Sequence, residues 1–124
     1  MDNLQFRIAQ GSTPRIELAL PFEYPDSGAN AYATFSQTDR NVLEYSLGGT
    51  ATPAIAGTGT LARDSEDKSI LVLTMTQADT LGLAVGDVEL QVRVMTTDGA
   101  DTFADTFLPL VGAVYKAFKT GVIS

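Results

Sequence analysis

From Asp87 to Thr96 the chain alternates without a break: Val88, Leu90, Val92 and Val94 fall on one side, and Glu89, Gln91, Arg93 and Met95 on the other. A repeat of two is that of a pleated strand, and four apolar side chains in line need a packed layer beneath them. One face of this strand is therefore buried and the other wet, which commits the chain to a sheet with one covered side. The same period recurs at Leu4, Phe6 and Ile8 and again at Ile16, Leu18 and Leu20, with the Gly and Pro of Gln10-Gly11-Ser12-Thr13-Pro14 between the two runs.

Further strands follow from the same rule. Pro21, Pro25, Ser27 and Gly28 punctuate a connection, after which Ala29 to Gln37 and Asn41 to Leu47 read as a hairpin joined at Thr38-Asp39-Arg40. Gly48 to Thr60 is nearly all Gly, Ala, Thr and Pro, which predicts a flexible loop with at most one poor strand, and Arg63 to Lys68 is a hydrophilic turn. Ser69 to Met75 is apolar on both pleat faces and predicts a central strand buried on both sides. Asp98-Gly99 suits the positive φ of a tight hairpin and returns the chain into a strand from Asp101 to Val111. One helical signal interrupts the strands: Thr76 as cap with Asp79 three residues on, a capping-box-like pair, and Gly82 or Gly86 to end about two turns. Short strands with turn signals at roughly 8- to 12-residue spacing and little helix predict a two-sheet sandwich.

Composition bears on function mainly by exclusion. A chain of 124 residues is one domain's worth, and at 44% hydrophobic residues it has an ordinary core-forming composition. It contains no His and no Cys, which removes a Ser-His-Asp triad, a thiolate nucleophile, a His-based zinc site and an iron–sulfur cluster. No cofactor is expected. A net charge of −7 has the wrong sign for attraction to nucleic acid or to an anionic membrane. The polar opening Met1-Asp2-Asn3-Leu4-Gln5 lacks the make-up of a secretory leader, and no run approaches the ~20 apolar residues that span a bilayer, so a cytoplasm-like site of synthesis is the expectation.

The acidic residues are the abundant reactive groups. Asp64, Glu66 and Asp67 form one cluster and Asp98, Asp101 and Asp105 another; neither has EF-hand spacing, and both are read as solvated turn charges rather than Ca²⁺ ligands. Paired carboxylates for glycoside hydrolysis need a sugar cleft, which usually displays exposed aromatic rings, and the chain has no Trp. Gly48-Gly49 and Gly57-Thr58-Gly59 match no phosphate-binding loop, since no Lys follows them at the required place. No catalytic residues are assigned. More informative is the segment from Asp101 to Pro109, in which Phe103 and Phe107 share a strand face with Asp101 and Asp105. Those rings are either core or an aromatic patch rimmed by carboxylates, of the kind a protein partner buries. The last stretch, 112–124, carries Val114, Tyr115, Phe118, Val122 and Ile123 with Lys116 and Lys119 between them, and a tail this apolar docks either on its own sheet or on a neighbouring subunit.

Three segments together resemble a known group. Gln10-Gly11-Ser12-Thr13-Pro14, then Leu73-Thr74-Met75-Thr76-Gln77-Ala78-Asp79-Thr80-Leu81 followed by Gly86-Asp87-Val88-Glu89-Leu90-Gln91-Val92-Arg93, and an Asp98-Gly99 hairpin ahead of Gly121-Val122-Ile123 resemble small phage and prophage structural proteins of Gram-positive bacteria. The resemblance covers most of the chain; the Gly48 to Thr60 stretch is longer than in the similar proteins. It implies a fold similar to the immunoglobulin-like N-terminal module of phage baseplate upper proteins, and no catalytic residues. The expectation is therefore an all-β chain, an immunoglobulin-like antiparallel β-sandwich with one short helix, in which residues 1–124 form a single domain and 112–124 a docking tail. The expected function is that of a non-enzymatic assembly component of a bacteriophage virion, in the tail or baseplate, whose partners are other virion proteins and copies of itself. A soluble carbohydrate- or ligand-binding module is the alternative. The expected partner surface is Phe103, Phe107, Tyr115, Lys116, Phe118, Lys119, Val122 and Ile123.

Overall fold

The computed structural model of the chain describes residues 5–26, 28–98, 101–106 and 110–116, with the backbone alone at 96–98 and 101–106. Among the described residues, nine strands pack as two sheets: β1 (Phe6–Ala9), β2 (Arg15–Ala19), β3 (Ala29–Gln37), β4 (Arg40–Leu47), β5 (Thr60–Arg63), β6 (Ile70–Thr74), β7 (Gly86–Asp98), β8 (Asp101–Thr106) and β9 (Leu110–Tyr115). The larger sheet has the order β1-β9-β7-β3-β4 with β8 also on β7, and the smaller one β2-β6-β5. Pairing is antiparallel except between β1 and β9. Strands two, five and six in one sheet, facing three, four, seven and nine in the other, is the immunoglobulin-like sandwich that the sequence predicts.

The core is the set of inward residues the alternation picks out. Val88, Leu90, Val92 and Val94 of β7 are buried, whereas Glu89, Gln91 and Arg93 are exposed. They meet Leu18 of β2 and Leu71 and Leu73 of β6 across the sheets, with Phe35 and Tyr45 set edge to face, 6.4 Å between ring centroids. The β3–β4 hairpin turns at Thr38 and Asp39, both with positive φ (50° and 63°), the geometry that matches the twist of the flanking strands.

Three readings are corrected. β6 is the middle strand of its sheet, but Leu71 and Leu73 are fully buried while Ile70 and Val72 are only half-buried, because a three-stranded sheet packed on one partner leaves its outer face to solvent. The strand expected from Asp101 to Val111 is two strands: the thirteen residues of β7 are longer than either partner, so β9 pairs Gly86–Leu90 and β8 pairs Arg93–Asp98. The poor strand allowed for within Gly48–Thr60 does not form over 48–59; β5 instead starts at Thr60 and takes Arg63 out of the hydrophilic turn. Residues 112–115 lie in β9, inside the sheet between β1 and β7, with Val114 buried.

Candidate functional site

The short helix α1 (Gln77–Leu81) organises one end of the sandwich. Thr76 caps it by accepting from the Asp79 main-chain N–H, and Gly82 ends it. Thr80, fully buried, donates from its hydroxyl to the Ser12 carbonyl at 2.7 Å, the Gln10 amide donates to the Leu83 carbonyl at 2.7 Å, and the Met75 N–H donates to the Pro14 carbonyl at 3.0 Å. The segments Gln10–Pro14 and Leu73–Leu81, distant in sequence, thus meet in space. Gln37 closes the other side of this end: its amide donates to the carbonyls of Ala84 and Asp87 and accepts from the Ala84 N–H.

The capping-box expectation for Asp79 is half right. Its N–H takes the cap bond, but its carboxylate turns the other way, accepting from the Tyr45 hydroxyl at 2.5 Å, from the main-chain N–H groups of Thr58 and Gly59 at 2.9 and 3.0 Å, and from the Thr58 hydroxyl at 3.0 Å. Asp79 is only 8% exposed. Burial alone raises its carboxyl, but the Tyr45 hydroxyl and the Thr58 and Gly59 donors outweigh it and hold the group below the usual carboxylate range. Burial, then the hydrogen bond and charge of Asp79, push the Tyr45 phenol up. Glu44 on β4 repeats the device: it is 9% exposed and accepts from the Thr52 N–H at 2.7 Å and the Thr34 hydroxyl at 2.9 Å. Burial again opposes ionisation, and these donors, helped by Arg93, win and lower its carboxyl. Both carboxylates have the burial of catalytic acids, but the Asp79 oxygens are filled by the protein's own donors and each Glu44 oxygen already accepts one. They act as pins for the 48–59 segment.

The features that face outward are apolar. Leu81, Val85 and Tyr115 are 60%, 57% and 46% exposed. The β7–β9 register ends where Gly86 pairs with Val114, with Val85 just before Gly86 and Tyr115 just after Val114 in the chain. The Gln10 N–H donates to the Tyr115 carbonyl, and Leu81 lies against Gly11, so all three belong to the end of the sandwich that α1 organises. Lys116, also exposed, follows Tyr115 there. Of the residues expected at a partner surface, Tyr115 and Lys116 are thus brought to this pole. The backbone of Phe103 lies in β8 opposite Thr96. Phe107, Phe118, Lys119, Val122 and Ile123 lie outside the described residues. Sequence reasoning missed Leu81 and Val85.

Elsewhere the charges form local ties. Asp64 accepts from the N–H groups of Glu66 and Asp67, and Asp67 from the N–H and hydroxyl of Ser69, so this cluster shapes its own turn. Arg63 joins Tyr24 and Asp26 at 2.9 and 2.6 Å. Among the described residues no three acidic side chains are grouped to hold a metal ion. An apolar cleft of about 500 Å³ opens between the sheets, lined by Phe6, Ile16, Leu18, Leu20, Val92 and Leu110. On the outer face of the larger sheet the Arg93 guanidinium sits 5.1 Å from the Tyr32 ring centroid. No known protein family and no curated protein sequence matches the chain.

Proposed function

We propose that this chain is a non-enzymatic structural module of a bacteriophage particle, in its tail or baseplate, made in the host cytoplasm and built into the virion beside other virion proteins and copies of itself. The observation that carries this reading is the apolar pole. Leu81, Val85 and Tyr115 together expose side chains that a partner would bury, next to the cationic Lys116 in a protein of net charge −7. Like-charged copies repel unless contact area or a local cation offsets it, and this pole supplies both. Two of the segments that carry the resemblance to phage structural proteins, Gln10–Pro14 and Leu73–Leu81, meet at the pole, in keeping with a scaffold role. The filled acceptor sites of Asp79 support the same side, since a general acid or base needs a free position for a substrate proton. Mass spectrometry of purified particles tests the reading: the chain is expected in stoichiometric amount, and its presence in lysate with absence from particles overturns the proposal.

The apolar cleft beside β1 and β2 and the Arg93–Tyr32 stack favour a second reading, a soluble ligand-binding sandwich. That reading predicts saturable binding of a small apolar or glycan ligand by the monomer, measured by calorimetry.

A further inference from the structure

β4 is an edge strand of the larger sheet, and edges left open recruit other strands. Here residues 49–59 run back along it: Ala56 bridges Glu44 in parallel, and the Gly57 N–H donates to the Glu44 carbonyl at 2.8 Å. Little apolar area holds this stretch down: Ala51 and Ile55 are half-buried and Gly57 lies against the Tyr45 ring. None of residues 48–59 is buried, and the 3₁₀ turn at Pro53–Ile55 contributes no buried side chain. Beside the Gly57 bond, a Ser46 hydroxyl to the Gly49 carbonyl and a Thr58–Thr76 hydroxyl contact, the bonds that tie it to the sandwich go to two carboxylates, Glu44 holding the Thr52 N–H and Asp79 holding the Thr58 and Gly59 N–H groups.

We propose that residues 49–59 are a strap that lifts from β4 when Glu44 and Asp79 take up protons, uncovering a strand-pairing edge. A protonated carboxyl is a poorer acceptor and brings its own O–H into a site already crowded with donors. The groups facing the two pins are few. Glu44 faces Arg93 of β7, which favours its charged form; Asp79 faces Tyr45 of β4; the strap itself carries no ionisable side chain. Both carboxyls lie below their ordinary values when the strap is closed. Closure is therefore fully supported above the unfolded carboxylate range, about pH 4, and lost as pH falls through the lower folded values. With little apolar area to restore, opening is local and leaves the sandwich intact.

Amide hydrogen exchange on the full chain tests this. At acid pH the protection factors of Thr52, Gly57, Thr58 and Gly59 are expected to fall by roughly tenfold or more while the amides of β3 and β7 keep theirs. A Glu44→Gln, Asp79→Asn double variant is expected to show the same pattern at pH 7. Strap amides that stay protected in acid, or that lose protection only together with those of β3 and β7, overturn the proposal. The wild-type titration decides the matter even where the double variant does not fold.

Discussion

Asp79 shows how a single buried charge is kept. Four donors converge on it, and each is lost or orphaned when the carboxylate goes. Asp79→Ala leaves the Tyr45 hydroxyl and two main-chain N–H groups without an acceptor, and is expected to cost about 3 to 5 kcal/mol in urea unfolding. Tyr45→Phe removes one donor and is expected to cost about 1 to 2 kcal/mol. It also has a pH signature. With the phenol gone the Asp79 carboxyl rises toward its ordinary value, so the stability that its ionisation supplies is lost at a higher pH on acidification than in the wild type. Gly59 is fixed by space: a Cβ there would overlap the Thr74 carbonyl oxygen, which belongs to the backbone and cannot swing aside. Gly59→Ala is expected to lower stability by about 1 to 3 kcal/mol, read from the same unfolding curves. The sequence made Asp79 legible as a cap residue because capping is local. Its role as a pin was not legible, since Tyr45 and Thr58 lie 34 and 21 residues away.

At the scale of elements, short-range signals carried far. The alternation in β7 and the cap at Thr76 specify those elements almost alone, and the hairpin from β3 to β4 followed from its polar break. That turn also leaves room for improvement. Thr38 is β-branched at φ 50°, a conformation it adopts at a cost. Replacing Thr38-Asp39 by Asn-Gly is expected to raise stability by about 0.5 to 1 kcal/mol, seen as a higher melting temperature without change of fold. The splitting of the returning strand into β8 and β9 was not legible, because it depends on how much of β7 each partner covers. Nor was β5, whose four residues contain a single buried apolar side chain, Leu61, and whose place is set by pairing with β6. The docking of the N-terminal turn on α1 is likewise a tertiary fact. Thr80→Val keeps the volume but deprives the Ser12 carbonyl of its hydroxyl partner, and is expected to cost about 1 to 2 kcal/mol while the Gln10–Leu83 bond remains.

For the whole molecule, the sandwich exposes Leu81, Val85 and Tyr115 at one end, and the proposed assembly role rests on them. Stable protein contacts bury about 800 Å² per side, and their energy concentrates in a few apolar or aromatic anchors. Leu81, Val85 and Tyr115 are placed to be such anchors, and none of the three is core, so their replacement leaves the fold in place. Half of this end was legible: Tyr115 and Lys116 stood out as apolar and cationic in an acidic chain, whereas Leu81 and Val85 look like ordinary interior residues until the packing of α1 and of the loop before β7 leaves them exposed. Sedimentation velocity of the wild type and of a Leu81→Ser, Val85→Ser, Tyr115→Ser variant, with thermal melts of both, tests the assembly account most directly. The account predicts a wild-type mass above the 13.1 kDa of one chain, rising with concentration, and a variant that sediments as a monomer with an unchanged melting temperature. A wild type that stays monomeric at every concentration, or a variant that assembles as the wild type does, would contradict it.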